Sequence, residues 1–550
     1  MSAWRAVAAA CLLLGLGTSL GRAAGDAAAT VGESIYRRGV LGSGTPIEAT
    51  RGGDGGPTTH GAEAACVNCH RHSGLGSTEG SILIPPITGR YLFQPRNLKH
   101  EELELPYLEN AHANRDPYTD VTLARAIRDG FDSAGKPFSL LMPRFALRDA
   151  DMAALIRYLK SLDADSVPGV TPTVLHFATI ITPDADPAKR RGMLDVMQHY
   201  FADKNNFPLP PSPPMRSSGK TLYAKSMYRA NRHWQLHVWE LTGSAATWTA
   251  QLQRHLAEEP VLAVVSGLGG SNWAPVHEFC EHEALPCLFP NVEVPVVADR
   301  DFYSLYFSKG VLLEAQLIAK RISEPGAGSS VKVVQQIYRV GDSGEPAARA
   351  LAETLKGQGI MVRNEALGAG PPGQGMPAAL RNAATADALV LWLRPADIAA
   401  LGAASAAPVP VFMSGLMGGL DHSPLPVSWR SRTRLAYPYD MPEHSTVRLE
   451  YPLRWFSIRR IPIVAEQSQI DTYLACGLLA ETIGHMADNF VRDYLVERME
   501  EMLEHRVMTG SYPRLALAEG QRFASKGGYV VQLAGAEGSR ITADGDWVVP

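Results

Sequence analysis

The chain has 550 residues, 45% of them apolar, 8% aromatic and 20% charged, a composition of packed globular protein that excludes a disordered, collagen-like or mainly membrane-embedded chain. At ~100–200 residues per domain, this length predicts roughly two to four domains. Fifty-two Lys and Arg against fifty-six Asp and Glu leave a net charge of −4, so no global field recruits nucleic acid or anionic lipid, and six Cys are too few for a disulfide framework.

Residues 1–23 read as an export signal. Arg5 precedes an apolar run from Ala6 to Leu16, and small residues follow at Gly21, Ala23 and Ala24, the order of a signal-peptidase substrate. The run is shorter than the ~20 apolar residues a bilayer requires. Later on, the stretch from Thr472 to Met486 is interrupted by Gly477, Glu481 and His485. The mature chain is therefore expected to be periplasmic, with no stable membrane span.

Next comes Cys66-Val67-Asn68-Cys69-His70, the spacing for covalent haem c: two thiols reach the two vinyl groups of one porphyrin, and the adjacent imidazole faces the iron. Zinc would need four ligands, and no second CxxC completes such a set; a redox CxxC has no need of the following His. A second axial ligand must come from the opposite haem face, and His72 is too close to supply it. Met142, followed by Pro143, offers a soft thioether on a segment that proline biases toward an extended backbone. Met152, His100 and His112 are its rivals; Met152 falls on a predicted helix with Leu155, Ile156 and Leu159, where packing is the simpler use. Leu123, Ala126, Ile127 and Phe131 make an earlier apolar stripe, ended by Gly130.

From Ile35 to Leu162 the chain resembles a class I cytochrome c domain, through Cys66, Cys69 and His70, Thr122 to Gly130, Met142-Pro143 and Tyr158-Leu159. It resembles in particular the cytochrome domains that serve periplasmic dehydrogenases, in which a Gly-x-Asp-x-x-Gly turn, here Gly130 to Gly135, precedes the Met-Pro loop. The resemblance implies an all-α fold over residues 32–163, with Pro85, Pro86 and Gly89 lying over the proximal His. The interval between His70 and Met142 is longer than in compact members, so His100 to Asn114 is expected to be an insertion.

A polar, Pro-Gly-interrupted linker spans residues 164–172. Beyond it, strand-length apolar runs alternate with helical patterns: Val174 to Ile181, Trp234 to Leu241 and Val261 to Ser266, then Val331 to Tyr338, Ala388 to Leu393 and Val409 to Ser414. Such alternation predicts parallel sheets flanked by helices, and residues 173–550 suffice for two α/β lobes. This region resembles the type I periplasmic binding proteins, the branched-chain amino acid receptor group of ABC importers, through Val261 to Ser271, Ala284 to Pro290, Asp301 to Gly310 and Arg434 to Tyr439. The resemblance implies a ligand held between the lobes by backbone N–H and hydroxyl groups at helix starts. Gly269, Gly270 and Ser271 would sit there, with Tyr303, Tyr306, Tyr437 and Tyr439 as candidate lining. The opening loop departs from the family: Thr182 to Pro187 carries two acids, which would repel an anionic ligand.

His277 and His282 are five apart, not the four that aligns two ligands on one helical face, so a polar helix exterior is expected there rather than a metal site. Cys280 and Cys287, seven apart in an oxidising compartment, are expected to form a local disulfide, with Cys476 a buried thiol. The sequence thus predicts a multidomain periplasmic carrier. One haem c exchanges electrons with a periplasmic dehydrogenase or other redox protein, and a fused domain recognises a solute or a partner. The alternative is a solute-binding protein of an ABC import or sensing system in which haem is a redox sensor. A catalytic oxidoreductase subunit lacks any second cofactor motif.

Overall fold

The computed structural model describes residues 30–52, 55–79, 82–94, 115–162, 167–206, 231–298, 301–324, 331–403, 408–419, 423–486, 489–518, 520–534 and 540–550. The export signal, the segment from His100 to His112 and the start of the linker lie outside the described residues. The chain divides into two compact units at Val167 and Pro168, and residues 485–497 group with the first.

In the first unit a helix over residues 30–38 packs with helices Asp120–Asp129 and Asp149–Ser161. Thr119 starts the middle helix: its hydroxyl accepts the Thr122 amide, while the Thr122 side chain accepts the Thr119 amide, satisfying two donors that would otherwise lack partners. Gly130 ends that helix at φ 77°, the left-handed conformation in which glycine carries no Cβ penalty. At Gly32 a Cβ would lie 2.3 Å from the Ala154 carbonyl oxygen, so glycine is what lets the first and last helices cross this closely. Ile35, Tyr36, Leu123, Ile127, Leu155 and Leu159 fill the core between the helices. Among the described residues, two small antiparallel sheets add to the helical frame. Glu48–Thr50 lies between Thr58–His60 and Arg144–Phe145, and Ser77–Glu79 pairs with Ile82–Ile84.

Among the described residues, the second unit holds two sheets. In the first lobe, β1 (Val174–Ile181), β2 (His233–Glu240), β3 (Ala263–Val265), β4 (Cys287–Leu288) and β5 (Ser304–Leu305) run parallel in the order β5-β4-β3-β1-β2. In the second lobe, β6 (Val333–Arg339), β7 (Met361–Leu367), β8 (Ala388–Trp392), β9 (Val411–Ser414) and β10 (Thr433–Tyr437) are parallel. The hairpin β11 (Tyr529–Ala534) and β12 (Arg540–Ala543) then adds antiparallel at the edge, giving the order β7-β6-β8-β9-β10-β11-β12. Parallel strands covered on both faces read as continuous apolar runs, which is why β8 (Ala-Leu-Val-Leu-Trp) is buried at every position. Helices Pro442–Arg459 and Glu466–Met486 return to the first lobe, where Phe456, Ile461 and Ile470 pack on Val196. Among the described residues no helix is long and apolar enough to cross a membrane.

Candidate functional site

Cys66 is the residue before a single helical turn, Val67–His70, that carries both Cys69 and His70. His70 is 5% exposed. Its Nδ1 lies 3.0 Å from the Pro85 carbonyl oxygen, an atom that can only accept, so the ring proton sits on Nδ1 and the Nε2 lone pair is available to a metal. Of the segment expected to lie over this His, Pro85 makes that bond. Burial lowers the imidazole pKa to about 4, partly offset by the Pro85 hydrogen bond, which keeps the ring neutral and ligand-competent. The chain leaves the turn through Arg71 at φ 66°, a region costly for a residue with a Cβ. The Tyr36 hydroxyl holds the Arg71 carbonyl at 2.7 Å.

Burial pushes the Cys66 thiol up to about 12, with Cys69 adding to the rise and a backbone hydrogen bond opposing it. A redox dithiol needs the opposite, a thiol lowered toward thiolate. The donor set therefore fits covalent haem: Cys66 and Cys69 for the vinyl groups and His70 for the iron. Met142 is half-buried and packs on the same apolar cluster as Cys66 and Val67. Its loop is set by the Gly-x-Asp-x-x-Gly turn, in which the Asp132 carboxylate accepts the Ala134 and Lys136 amides at 2.9 and 2.8 Å. Met152 is 2% exposed within the helical core, in keeping with its packing role. An open hollow of about 680 Å³ bounded by Thr50, Thr58, Arg128, Phe131 and Arg144 is lined by none of these four donors.

In the second unit, Gly269, Gly270 and Ser271 follow β3 and precede helix Ala274–His282. Their polar groups are already engaged. The Ser271 amide donates to Asp184 Oδ2 at 3.0 Å, the Gly270 amide to the Thr182 hydroxyl at 3.2 Å, and the Gly269 amide to the Asn291 carbonyl at 3.3 Å. Tyr437 is half-buried at the carboxyl end of β10, its ring 5.5 Å from that of Tyr439. Tyr303 is 6% exposed and immediately precedes β5. Because β3, β4 and β5 are parallel, it lies toward the opposite end of the sheet from Gly269 to Ser271, so the structure does not bring it to the same rim. Tyr306 is buried too, its hydroxyl 2.8 Å from His277 Nδ1. Cys280 and Cys287 are not bonded to each other. Both pack as small apolar side chains in the lobe core, a common use of Cys, in place of the expected disulfide. Cys476 is buried, as expected.

His277, Glu281 and Asp301 place ligand-type atoms within 4.8 Å of one another, but they serve each other and the backbone. His277 Nε2 is 2.8 Å from Asp301, and the Glu281 carboxylate accepts the amides of Phe302, Tyr303 and Ser304 at 3.0, 3.2 and 2.7 Å.

A cluster that sequence reading missed lies at the carboxyl ends of the strands. Arg394, after β8, donates to both oxygens of Glu293 at 2.9 and 2.7 Å and to Asp342 at 2.5 to 3.2 Å. Lys189 and the Ser343 hydroxyl add bonds to Glu293 at 3.1 and 2.8 Å. Burial would raise the Glu293 pKa, yet the Arg394 hydrogen bond and the nearby Lys189 and Arg394 charges bring it down to about 2. Arg394 and Glu293 lie 101 positions apart, Glu293 and Lys189 a further 104, and none belongs to a local motif.

A family model for cytochrome c matches residues 59–163. No curated protein matches the chain. Solved structures match the second unit's fold. A fatty acid ABC transporter substrate-binding protein from Thermomonospora curvata is 14% identical with a TM-score of 0.50, covering 70% of this chain and 95% of its own. A substrate-binding periplasmic protein from Ralstonia solanacearum is 13% identical with a TM-score of 0.50, covering 67% and 100%. A solute-binding protein of an ABC transporter from R. palustris, in complex with benzoate, is 11% identical with a TM-score of 0.50, covering 68% and 96%. The chain thus carries a cytochrome c domain followed by a two-lobed α/β domain with the periplasmic binding protein fold.

Proposed function

We propose that this protein is a periplasmic electron carrier that would hold one haem c through Cys66 and Cys69, with His70 and Met142 supplying the protein's ligands to its iron, and that exchanges electrons with a periplasmic dehydrogenase. When bound, the haem supplies one-electron transfer between ferrous and ferric iron. The observation that carries the reading is the His70 ring, buried, neutral, and fixed by Pro85 so that Nε2 is the free nitrogen. Tyr36, Leu92 and Leu155 belong to the buried apolar cluster on which Cys66, Val67 and Met142 pack. Leu140 and Leu141, 70% and 44% exposed beside Met142, supply an apolar surface of the kind that redox partners dock against.

The α/β domain then serves recognition of a ligand or partner. The alternative, a solute-binding protein of an import or sensing system with haem as its redox sensor, needs a solute bound by the α/β domain; sensing of a small molecule at the iron would need Met142 not to be a ligand. Expression with the haem-attachment machinery separates the two. The carrier reading expects a mass increase of one porphyrin, a low-spin spectrum, and reduction of the ferric protein by a periplasmic dehydrogenase and its substrate. Purified material without added porphyrin mass overturns it.

A further inference from the structure

We infer that Thr182 and Asp184 take up the donors of Gly270 and Ser271, where the resemblance to binding proteins would seat a ligand, and that Asp184 thereby bars free carboxylates such as amino acids and aromatic acids from them. The donors that Gly269 to Ser271 offer beside a helix start are those an anionic ligand would use, and each has an internal acceptor. Asp184 Oδ2 takes the Ser271 amide at 3.0 Å and the Ser271 hydroxyl at 3.4 Å. Asp184 Oδ1 takes the Thr182 hydroxyl at 2.5 Å, and that hydroxyl oxygen accepts the Gly270 amide. The carboxylate lies directly over the backbone: a Cβ at Gly270 would come 2.2 Å from Asp184 Oδ2. Burial by itself would raise the Asp184 pKa, but the hydrogen bonds from Thr182 and Ser271 hold it below the usual carboxylate range, so the internal ligand is an anion at neutral pH.

The cations are engaged as well. Val292 packs beside Gly269, where a Cβ would meet it at 3.1 Å, and the next residue, Glu293, is paired with both Lys189 and Arg394. A free carboxylate entering here meets satisfied donors, neutralised cations and the Asp184 charge. The two acids of the Thr182 to Pro187 loop have separate uses: Asp186 accepts the Ala188 and Lys189 amides at the start of helix Pro187–Asn205, and Asp184 accepts the Thr182 hydroxyl and the Ser271 amide.

The test uses haem-loaded full-length protein and follows tryptophan fluorescence on heating, with acetate, benzoate and isoleucine as probes against chloride at matched ionic strength. Wild type is expected to show no carboxylate-specific rise in midpoint. Asp184→Ala is expected to melt lower and to be restored in part by acetate, which replaces the deleted group, and not by chloride. Asp184→Asn keeps the position filled and is expected to show no rescue. A saturable rise of the wild-type midpoint with any of the three carboxylates overturns the assignment, as does an Asp184→Ala protein on which acetate acts no more than chloride. Should Asp184→Ala fail to fold, the wild-type measurement decides alone. Haem enters neither arm, so the electron-carrier reading and this assignment stand or fall separately.

Discussion

Glu497 brings a carboxyl into the first unit, where its two oxygens accept the Ser73 amide at 2.9 Å and the Ser73 hydroxyl at 2.6 Å. Burial raises its pKa to about 7, with Asp493 adding to the rise and Arg71 and the Ser73 bonds opposing it. A folded-state value above the free value of 4.5 means that the folded chain keeps a proton the unfolded chain releases. This contribution is complete below about pH 4.5 and is lost as pH rises through 7, a difference of about 3 kcal/mol. Denaturant titration of the haem-loaded protein between about pH 5 and pH 8 should show the decline in the first unit, and Glu497→Gln should flatten it. Met142→Ala should change the ferric spectrum and lower the reduction potential, because a thioether ligand raises it; an unchanged spectrum rejects Met142 as a ligand. The attachment residues were legible because their chemistry is contiguous. The Asp184 contact was half legible: two acids in an opening loop signalled hostility to anions, but Ser271, the partner, lies 87 residues away.

Strands with continuous apolar runs were read within two or three residues of their ends, since burial on both faces writes itself into composition. β7 escaped notice because it is an edge strand, exposed or half-buried at every position except Leu367. The two-residue strands β4 and β5 are too short to show a pattern, β10 entered only as part of a motif, and the β11 and β12 hairpin escaped because its antiparallel edge breaks the β-α alternation that identified β1, β2, β3, β6, β8 and β9. The Arg394 cluster was invisible for a different reason: it assembles the ends of several elements, and no spacing rule relates them. Arg394→Met should cost roughly 2 kcal/mol, less than the ~3–5 kcal/mol of a fully buried pair because Arg394 is partly exposed. With the Glu293 pKa held at about 2, the stability it contributes is present above about pH 4.5 and lost as pH falls toward 2. The wild-type advantage over the variant should therefore shrink in acid denaturation. In the first unit, Gly32→Ala places a methyl against the Ala154 carbonyl and should destabilise by about 1–3 kcal/mol, read as a lower denaturant midpoint.

Over the whole molecule, the division into a cytochrome domain and a two-lobed domain follows from composition, motif order and resemblance. The recruitment of residues 485–497 to the first unit does not, because nothing near Glu497 points back to Ser73. A shortened protein ending at Val167 loses Glu497 from Ser73 and Asp493 from Arg37, the latter pair 3.2 Å apart. It should attach haem yet melt below the same unit in the full-length chain, and equal midpoints would show that the segment adds nothing.

Ser73 and Glu497, 424 positions apart, also impose an order. A chain made from its N-terminus produces the Ser73 amide and hydroxyl long before the carboxylate that answers them, so until a segment near the other end arrives those two donors are left to water, and the front piece is finished by nearly the last part of the protein to be made.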